Sequence, residues 1–194
     1  MLTILSAQQS FELGTFELTT PLEFVPGHIY HLSGPNGCGK TTLLELLAHL
    51  QRGHVKMLLN GQVLHFRDPE YCSQICYVSL HDPLPDIPVR AYLNGCGYQE
   101  GGFISQFVGK KITELSTGEK QFLRLIPLAQ RTTPSFIFLD EPFNGLDDQR
   151  IQWVRSHFQK MIGIGSIIIY TSHISNAQDK EVACDQCVKI HPLS

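Results

Sequence analysis

Short runs of consecutive apolar residues alternate along this chain with longer segments whose apolar positions recur every three or four residues. Residues 1–33 read as strands: 11–13 and 15–18 flank Gly14, and 29–32 run into a glycine-rich turn. Residues 41–50 predict a helix with a broad apolar face made of Leu43, Leu44, Leu46, Leu47 and Leu50. Over residues 57–64 an Asn60-Gly61 pair between apolar residues predicts a hairpin. A short strand follows at residues 75–79. From Leu80 to Glu114 prolines and glycines accumulate, predicting a loop-rich insertion with one short helix at residues 89–94. Beyond Leu115 come a helix, a buried strand at 136–139, a helix from Asp147 and a second buried strand at 167–170. The helix from Asp147 carries Ile151, Val154, Phe158 and Met161 on one face. Fully apolar short strands between helices predict an α/β fold with a mainly parallel sheet covered on both faces, preceded by an antiparallel β part.

Composition narrows the class. The 194 residues suit one domain, or one core carrying a small insertion. With 42% apolar and 17% charged residues the chain is no disordered tail protein. A net charge of −3 lacks the basic footprint of a general nucleic-acid binder, and no nucleic-acid partner is expected. No apolar run approaches the ~18 residues of a membrane span. No Lys precedes Lys40 and no Arg precedes Arg52, so a charged signal-peptide start is missing. The expectation is a cytoplasmic protein that meets a membrane only through partners. Six cysteines then read as reduced thiols. Cys184-x-x-Cys187 has the spacing of half a zinc site or a redox pair, with Cys72 and Cys76 as conceivable partners, or these are small apolar core residues.

Two motifs carry chemistry. Gly34-Pro35-Asn36-Gly37-Cys38-Gly39-Lys40-Thr41, followed by Thr42, fits G-x-x-x-x-G-K-[ST] between a strand and a helix. Its glycines let backbone N–H groups curl around phosphate at a helix N-terminus. Lys40 offers a point charge to the β- and γ-phosphates, and Thr41 a hydroxyl for Mg²⁺. The second motif is the apolar strand ending in Asp140-Glu141. At the carboxyl end of a parallel strand, Asp140 would hold Mg²⁺ and Glu141 would act as general base on an attacking water.

The order and spacing of these and three further elements resemble the ATP-binding cassette ATPases over nearly the whole chain. Leu115-Ser116-Thr117-Gly118-Glu119 is similar to the family's LSGGQ signature, Asn144-Gly145-Leu146-Asp147 to its D-loop, and Thr171-Ser172-His173 to its switch histidine. Phe11 stands where an aromatic residue stacks on adenine, with Phe16 as a rival and the core as the alternative for both. The segment around Cys184 resembles the approach to the last sheet strand, which weakens the metal reading of the cysteines.

The resemblance implies a P-loop NTPase core over residues 1–80 and 115–194, a reduced helical insertion at about 81–114, and one nucleotide-binding domain spanning 1–194. It implies ATP and Mg²⁺ bound through the Lys40 loop, Thr41 and Asp140, with Lys40, Glu141 and His173 catalytic. It further implies a head-to-tail dimer, of two identical chains or with a related cassette, in which Ser116 and Gly118 of one chain approach the ATP of the other. ATP-driven closure would power an ABC transporter through separate membrane-spanning subunits. The compact size is similar to that of the haem-exporter ATPases of cytochrome c maturation. A soluble, non-transport ABC-type ATPase and a weakly hydrolysing regulator are the alternatives.

Several positions depart from the family pattern. Leu80 replaces a glutamine that helps coordinate Mg²⁺, leaving His81 as the nearest polar side chain. Thr117 replaces a glycine, and Glu119 a glutamine, which predicts a weakened trans site and reduced hydrolysis. Ser116-x-x-Glu119 is itself a capping box for its own helix. Phe122 and Pro127 replace arginines, and Pro127 predicts a kink.

Overall fold

The computed structural model describes residues 1–11, 14–98, 102–133, 135–173, 176–184 and 188–192. Two sheets enclose one helix. The first is antiparallel in all its pairings, with strand β1 (Leu2–Phe11) against β2 (Gly14–Leu18), β3 (Leu22–Phe24) and β5 (His54–Leu59). β5 also pairs β6 (Gln62–Leu64) across Asn60 and Gly61, whose φ values of 50° and 83° are those of the mirror-image hairpin turn that Asn-Gly favours.

The second sheet has five parallel strands in the order β10-β4-β9-β8-β7: Lys180–Ala183, His28–Ser33, Ile167–Thr171, Phe136–Asp140 and Ile75–Ser79. Its central strands β8 and β9 are buried along their whole length because both faces are covered. Phe136, Phe138, Ile167 and Ile169 point toward helix α1 (Lys40–Leu47) and the first sheet. Ile137, Leu139, Ile168 and Tyr170 point the other way, toward α3 (Val89–Gly95), α4 (Thr117–Leu125) and α5 (Asp148–Gly163). The remaining helix, α2 (Pro69–Gln74), is capped by Asp68 and immediately precedes β7.

The α/β architecture agrees with the sequence expectation, and the element boundaries sharpen it. The helix expected over residues 41–50 closes at Leu47, because the Tyr71 hydroxyl donates to the Leu47 carbonyl (2.9 Å) and His49 turns into the left-handed region at φ 55°. Leu50 is therefore exposed. Pro127 does not kink α4. The α-helix stops at Leu125, and residues Ile126–Gln130 continue as a 3-10 turn, with Pro127 in its first turn where no N–H is needed. Phe122 is fully buried edge-on to Trp153. Two strands have no counterpart in the local pattern. β10 joins the parallel sheet, and β11 (Val188–Pro192) pairs with β2 in the first.

Candidate functional site

The loop after β4 turns back on itself through Gly34, Gly37 and Gly39, with φ values of 137°, 80° and 101°. A Cβ on Gly39 would come within 2.8 Å of the Phe16 ring and 3.1 Å of Val188, so the loop rests directly on the first sheet. Below it, the buried Cys184 Sγ donates to the Cys38 carbonyl (3.7 Å). That contact gives Cys184 a packing role under the loop; Cys187 lies outside the described residues. Helix α1 begins at Lys40, and its first intrahelical bond is Leu43 N–H to Gly39 O (2.9 Å). The N–H groups before it are available to a ligand at the positive end of the helix. Lys40 Nζ is folded over the loop, donating to Gly34 O (2.8 Å) and Pro35 O (3.1 Å).

Asp140 ends β8 beside this loop. Its Oδ2 accepts from the Thr41 hydroxyl (3.0 Å) and its Oδ1 from the Thr171 hydroxyl (2.7 Å). Thr171 Oγ1 in turn accepts from Glu141 N–H (2.9 Å). Glu141 carries a left-handed φ of 51°, a conformation costing on the order of 1–3 kcal/mol in a non-glycine residue. That backbone is held by Thr171 from one side and by buried Gln121, whose Nε2 reaches the Glu141 and Pro142 carbonyls (3.4 Å each). His173 Nε2 stands 3.7 Å from Glu141 Oε1 and is 71% exposed, close enough for charge interaction though too far for a hydrogen bond. Burial raises the pKa of Glu45, one turn beyond Thr41 on α1, a hydrogen bond from Gln51 opposes the shift, and Asp140 adds to it.

These groups open onto one cleft of about 550 Å³, lined by Phe11, Asn36, Gly37, Gly39, Lys40, Thr41, Thr42, His81, Asp140, Glu141, Asn144 and His173. Phe11 lies at its rim, 38% exposed, whereas Phe16 is fully buried beneath Gly39; of the two aromatic candidates only Phe11 reaches the cleft. Ser116 and Gly118 do not line it. They sit at the start of α4, where Ser116 Oγ accepts from Glu119 N–H (3.2 Å) and Glu119 accepts from Ser116 N–H (2.7 Å), completing the capping box. Those bonds, with Lys110 alongside, hold the Glu119 carboxyl below its ordinary pKa.

Sequence reasoning missed three contributors. Thr171 opens the Thr171-Ser172-His173 tripeptide, yet its bonds to Asp140 and Glu141 follow only from the register that sets Leu139 opposite Tyr170. His31, buried and stacked on Tyr170 at 5.0 Å, donates through Nε2 to the Ser172 carbonyl (2.8 Å) and so fixes the approach to His173. Asn144 faces the cleft from the loop after Glu141. A polar residue inside an otherwise apolar strand was the available signal for His31.

A strand–loop–helix phosphate cradle beside paired carboxylates at the carboxyl edge of a parallel sheet defines a P-loop nucleotide-binding protein. Residues 19–144 match the ABC transporter family. The cytochrome c biogenesis ATP-binding export protein CcmA of Nitrosococcus oceani is 30% identical over 176 residues, covering 81% of this chain and 80% of that protein. An ABC transporter ATP-binding protein from Pyrococcus furiosus superposes with a TM-score of 0.74 at 20% identity, covering 97% and 99% of the two chains. An ATP-binding cassette solved as a dimer in a post-hydrolysis state with ADP and Pi superposes at 0.67 with 15% identity, covering 95% of each chain. This chain belongs to the ABC transporter family and is one of its ATPases.

Proposed function

We propose that this chain is the ATP-hydrolysing subunit of an ABC transporter. It forms one nucleotide-binding domain over residues 1–194 with a reduced insertion at 81–114. It acts as a homodimer, or a heterodimer with a related cassette, on the cytoplasmic face of a membrane through separate membrane-spanning subunits. No helix among the described residues is long and apolar enough to cross a membrane. The similarity to a cytochrome c biogenesis ATP-binding export protein supports transport as the coupled process.

The observation that carries this reading is the hydrogen-bonded series Thr41–Asp140–Thr171–Glu141 along the floor of the cleft. The Thr41 hydroxyl and Asp140 carboxylate converge as the hard oxygen pair that Mg²⁺ favours. Mg²⁺ bound there supplies neutralisation of the charge shared by the β- and γ-phosphates. Lys40 exchanges its two loop carbonyls for phosphate oxygens, and the N–H groups of the loop and first helical turn bind the remainder. Phe11 stacks on the base. Glu141 accepts a proton from the attacking water, held in line by its constrained backbone, and His173 orients the γ-phosphate. In the dimer, Ser116 and Gly118 bring a second helix N-terminus to the partner's ATP.

The test is Glu141→Gln. ATP should bind with little change, turnover should fall by at least about a hundredfold, and ATP should convert the variant to a stable dimer in size-exclusion chromatography. ATP binding without any dimer would overturn the closure cycle. Pull-down of the wild-type chain from membranes should recover a polytopic membrane protein; recovery only of soluble partners would favour the non-transport alternative.

A further inference from the structure

Tyr170 and Thr171, the last two residues of β9, point to opposite faces of the parallel sheet. Thr171 serves the cleft through its bonds to Asp140 and Glu141. Tyr170 points into the apolar layer beside α5, fully buried, and its hydroxyl donates to Asp179 Oδ2 (2.6 Å). The same oxygen accepts from Arg155 Nη1 of α5 (3.0 Å). The Asp179 side chain is 1% exposed and that of Arg155 19%, so the three groups form a buried ion pair with a phenol attached. Burial and the Asp179 carboxylate raise the Tyr170 pKa, with Arg155 opposing, and the phenol stays a donor.

A buried ion pair is a poor device for stability. Desolvation of the two charges offsets much of their attraction, and apolar side chains of similar volume hold a layer together as well. What the pair adds is fixed geometry, since a short charge-assisted bond holds its acceptor in one place. That place serves two loops of the cleft. Tyr170 precedes His173 in the chain and Asp179 follows it, so their bond ties the chain on both sides of an imidazole that is itself 71% exposed. Asp179 is set by a turn in which its N–H donates to Asn176 O (3.0 Å), and β10 starts at the next residue. The Arg155 guanidinium lies over the Phe143 ring, 4.7 Å from its centre, and Phe143 packs edge-on against Tyr170 at 5.4 Å. Phe143 follows Glu141 and Pro142 in their loop. His31 completes the brace from β4, stacked on Tyr170 and bonded to the Ser172 carbonyl.

We propose that Arg155 and Asp179 are the positioning pair for His173: through Tyr170, Phe143 and the chain on either side they hold its imidazole beside Glu141. Neither residue lines the cleft, so both act through others. Loss of the pair leaves the phosphate loop intact and lets His173 move, which slows the chemical step and spares ATP affinity.

The proposal rests on the ATP-site reading, in which His173 orients the γ-phosphate, and its test separates the two. Tyr170→Phe removes one hydroxyl and keeps the ring contacts, Asp179→Asn removes the anion and keeps an acceptor, and Arg155→Gln removes the cation. In steady-state ATPase assays of the full chain each should lower kcat about tenfold and leave KM for ATP within about twofold. Single-turnover hydrolysis of radiolabelled ATP carries the comparison into the His173→Ala background. There Tyr170→Phe should add less than about a twofold loss, because an absent imidazole cannot be misplaced. A further measurement does without catalysis: NMR of the chain labelled at histidine Cε1. The resonance that His173→Ala removes should move when a non-hydrolysable ATP analogue binds with Mg²⁺ to the wild type, and should move less in Tyr170→Phe. Should either charge variant not fold, Tyr170→Phe carries the comparison alone. Unchanged kcat in a folded variant, an equal loss in both backgrounds, or an unaltered movement of the resonance overturns the positioning pair. A His173→Ala chain with wild-type turnover overturns the role of His173 and this proposal with it.

Discussion

Gly118 and Gly145 pack backbone against backbone. A Cβ on Gly118 would stand 2.1 Å from the Gly145 carbonyl oxygen, and a Cβ on Gly145, at φ 74°, 3.5 Å from the Gly118 Cα. The contact joins the start of α4 to the loop that follows Glu141, and Gln121 binds the same loop one turn further along.

Gly118→Ala should therefore force α4 and the 141–147 loop apart. We expect a loss of about 1–3 kcal/mol in chemical denaturation, the usual cost of overpacking. ATP turnover should fall while nucleotide affinity, which depends on the other side of the cleft, changes little. Equal turnover in wild type and variant would show that the two segments are not mechanically linked.

Removing the methyl branch and charge from the signature is expected to work in the opposite sense. Thr117→Gly with Glu119→Gln keeps the capping box, since Gln serves at its fourth position as well as Glu. It removes a negative charge that the Ser116 backbone and Lys110 hold ionised at the helix start. Steady-state ATPase should rise about two- to fivefold, the scale of one charge at a helix N-terminus. Unchanged or lower turnover would refute a weakened trans site. Ser116→Ala, by contrast, should destabilise the fold by about 0.5–2 kcal/mol through the lost cap.

Thr171→Val replaces a hydroxyl by a methyl at nearly constant volume. It deprives Asp140 of a donor and Glu141 N–H of an acceptor. Stability should drop by about 1–3 kcal/mol and turnover by roughly 5–100-fold, with Thr171→Ser recovering most of both. Failure of Ser to recover would point to packing by the methyl rather than to the hydroxyl.

His49 supplies the pH dependence. Its Nδ1 accepts from Arg67 N–H (3.0 Å) in a buried site, and burial lowers its pKa; Arg67 adds to the shift and Asp68 opposes it. The unfolded chain therefore binds a proton that the folded chain resists. The contribution is complete above the unfolded value near 6.5 and is lost as pH falls from there toward the folded value. Melting temperature should decline between about pH 7.5 and pH 5.5, and His49→Asn should flatten that part of the profile. Asn tolerates the left-handed φ of 55° at this position, so the substitution isolates the titration from the turn.

What the sequence made legible was local. The Gly34–Thr41 loop, the Asp140-Glu141 pair, the Asn60-Gly61 hairpin and the Ser116–Glu119 cap are each written in consecutive residues whose conformations only a few side chains accept. Less legible was whatever depends on which strands become neighbours. Nothing near His81 announces that β7 will lie beside β8. Nothing near Thr171 shows that its hydroxyl will sit between two carboxyl-bearing residues. Phe11 and Phe16 look alike in sequence; the hairpin that buries one under Gly39 and leaves the other at the rim separates them. The partners of β10 and β11 lie 150 or more residues earlier, beyond the reach of any window of periodicity.

That distance has a consequence for synthesis. The phosphate loop rests on Val188 of β11 and on Cys184, the latter 146 residues beyond its loop partner Cys38, and both are made long after the loop. A nascent chain paused before these positions has the whole loop sequence and lacks two of the supports that shape it. The shape of the loop is therefore coupled to the closing of β11 against β2, a pairing that cannot form when the loop itself emerges.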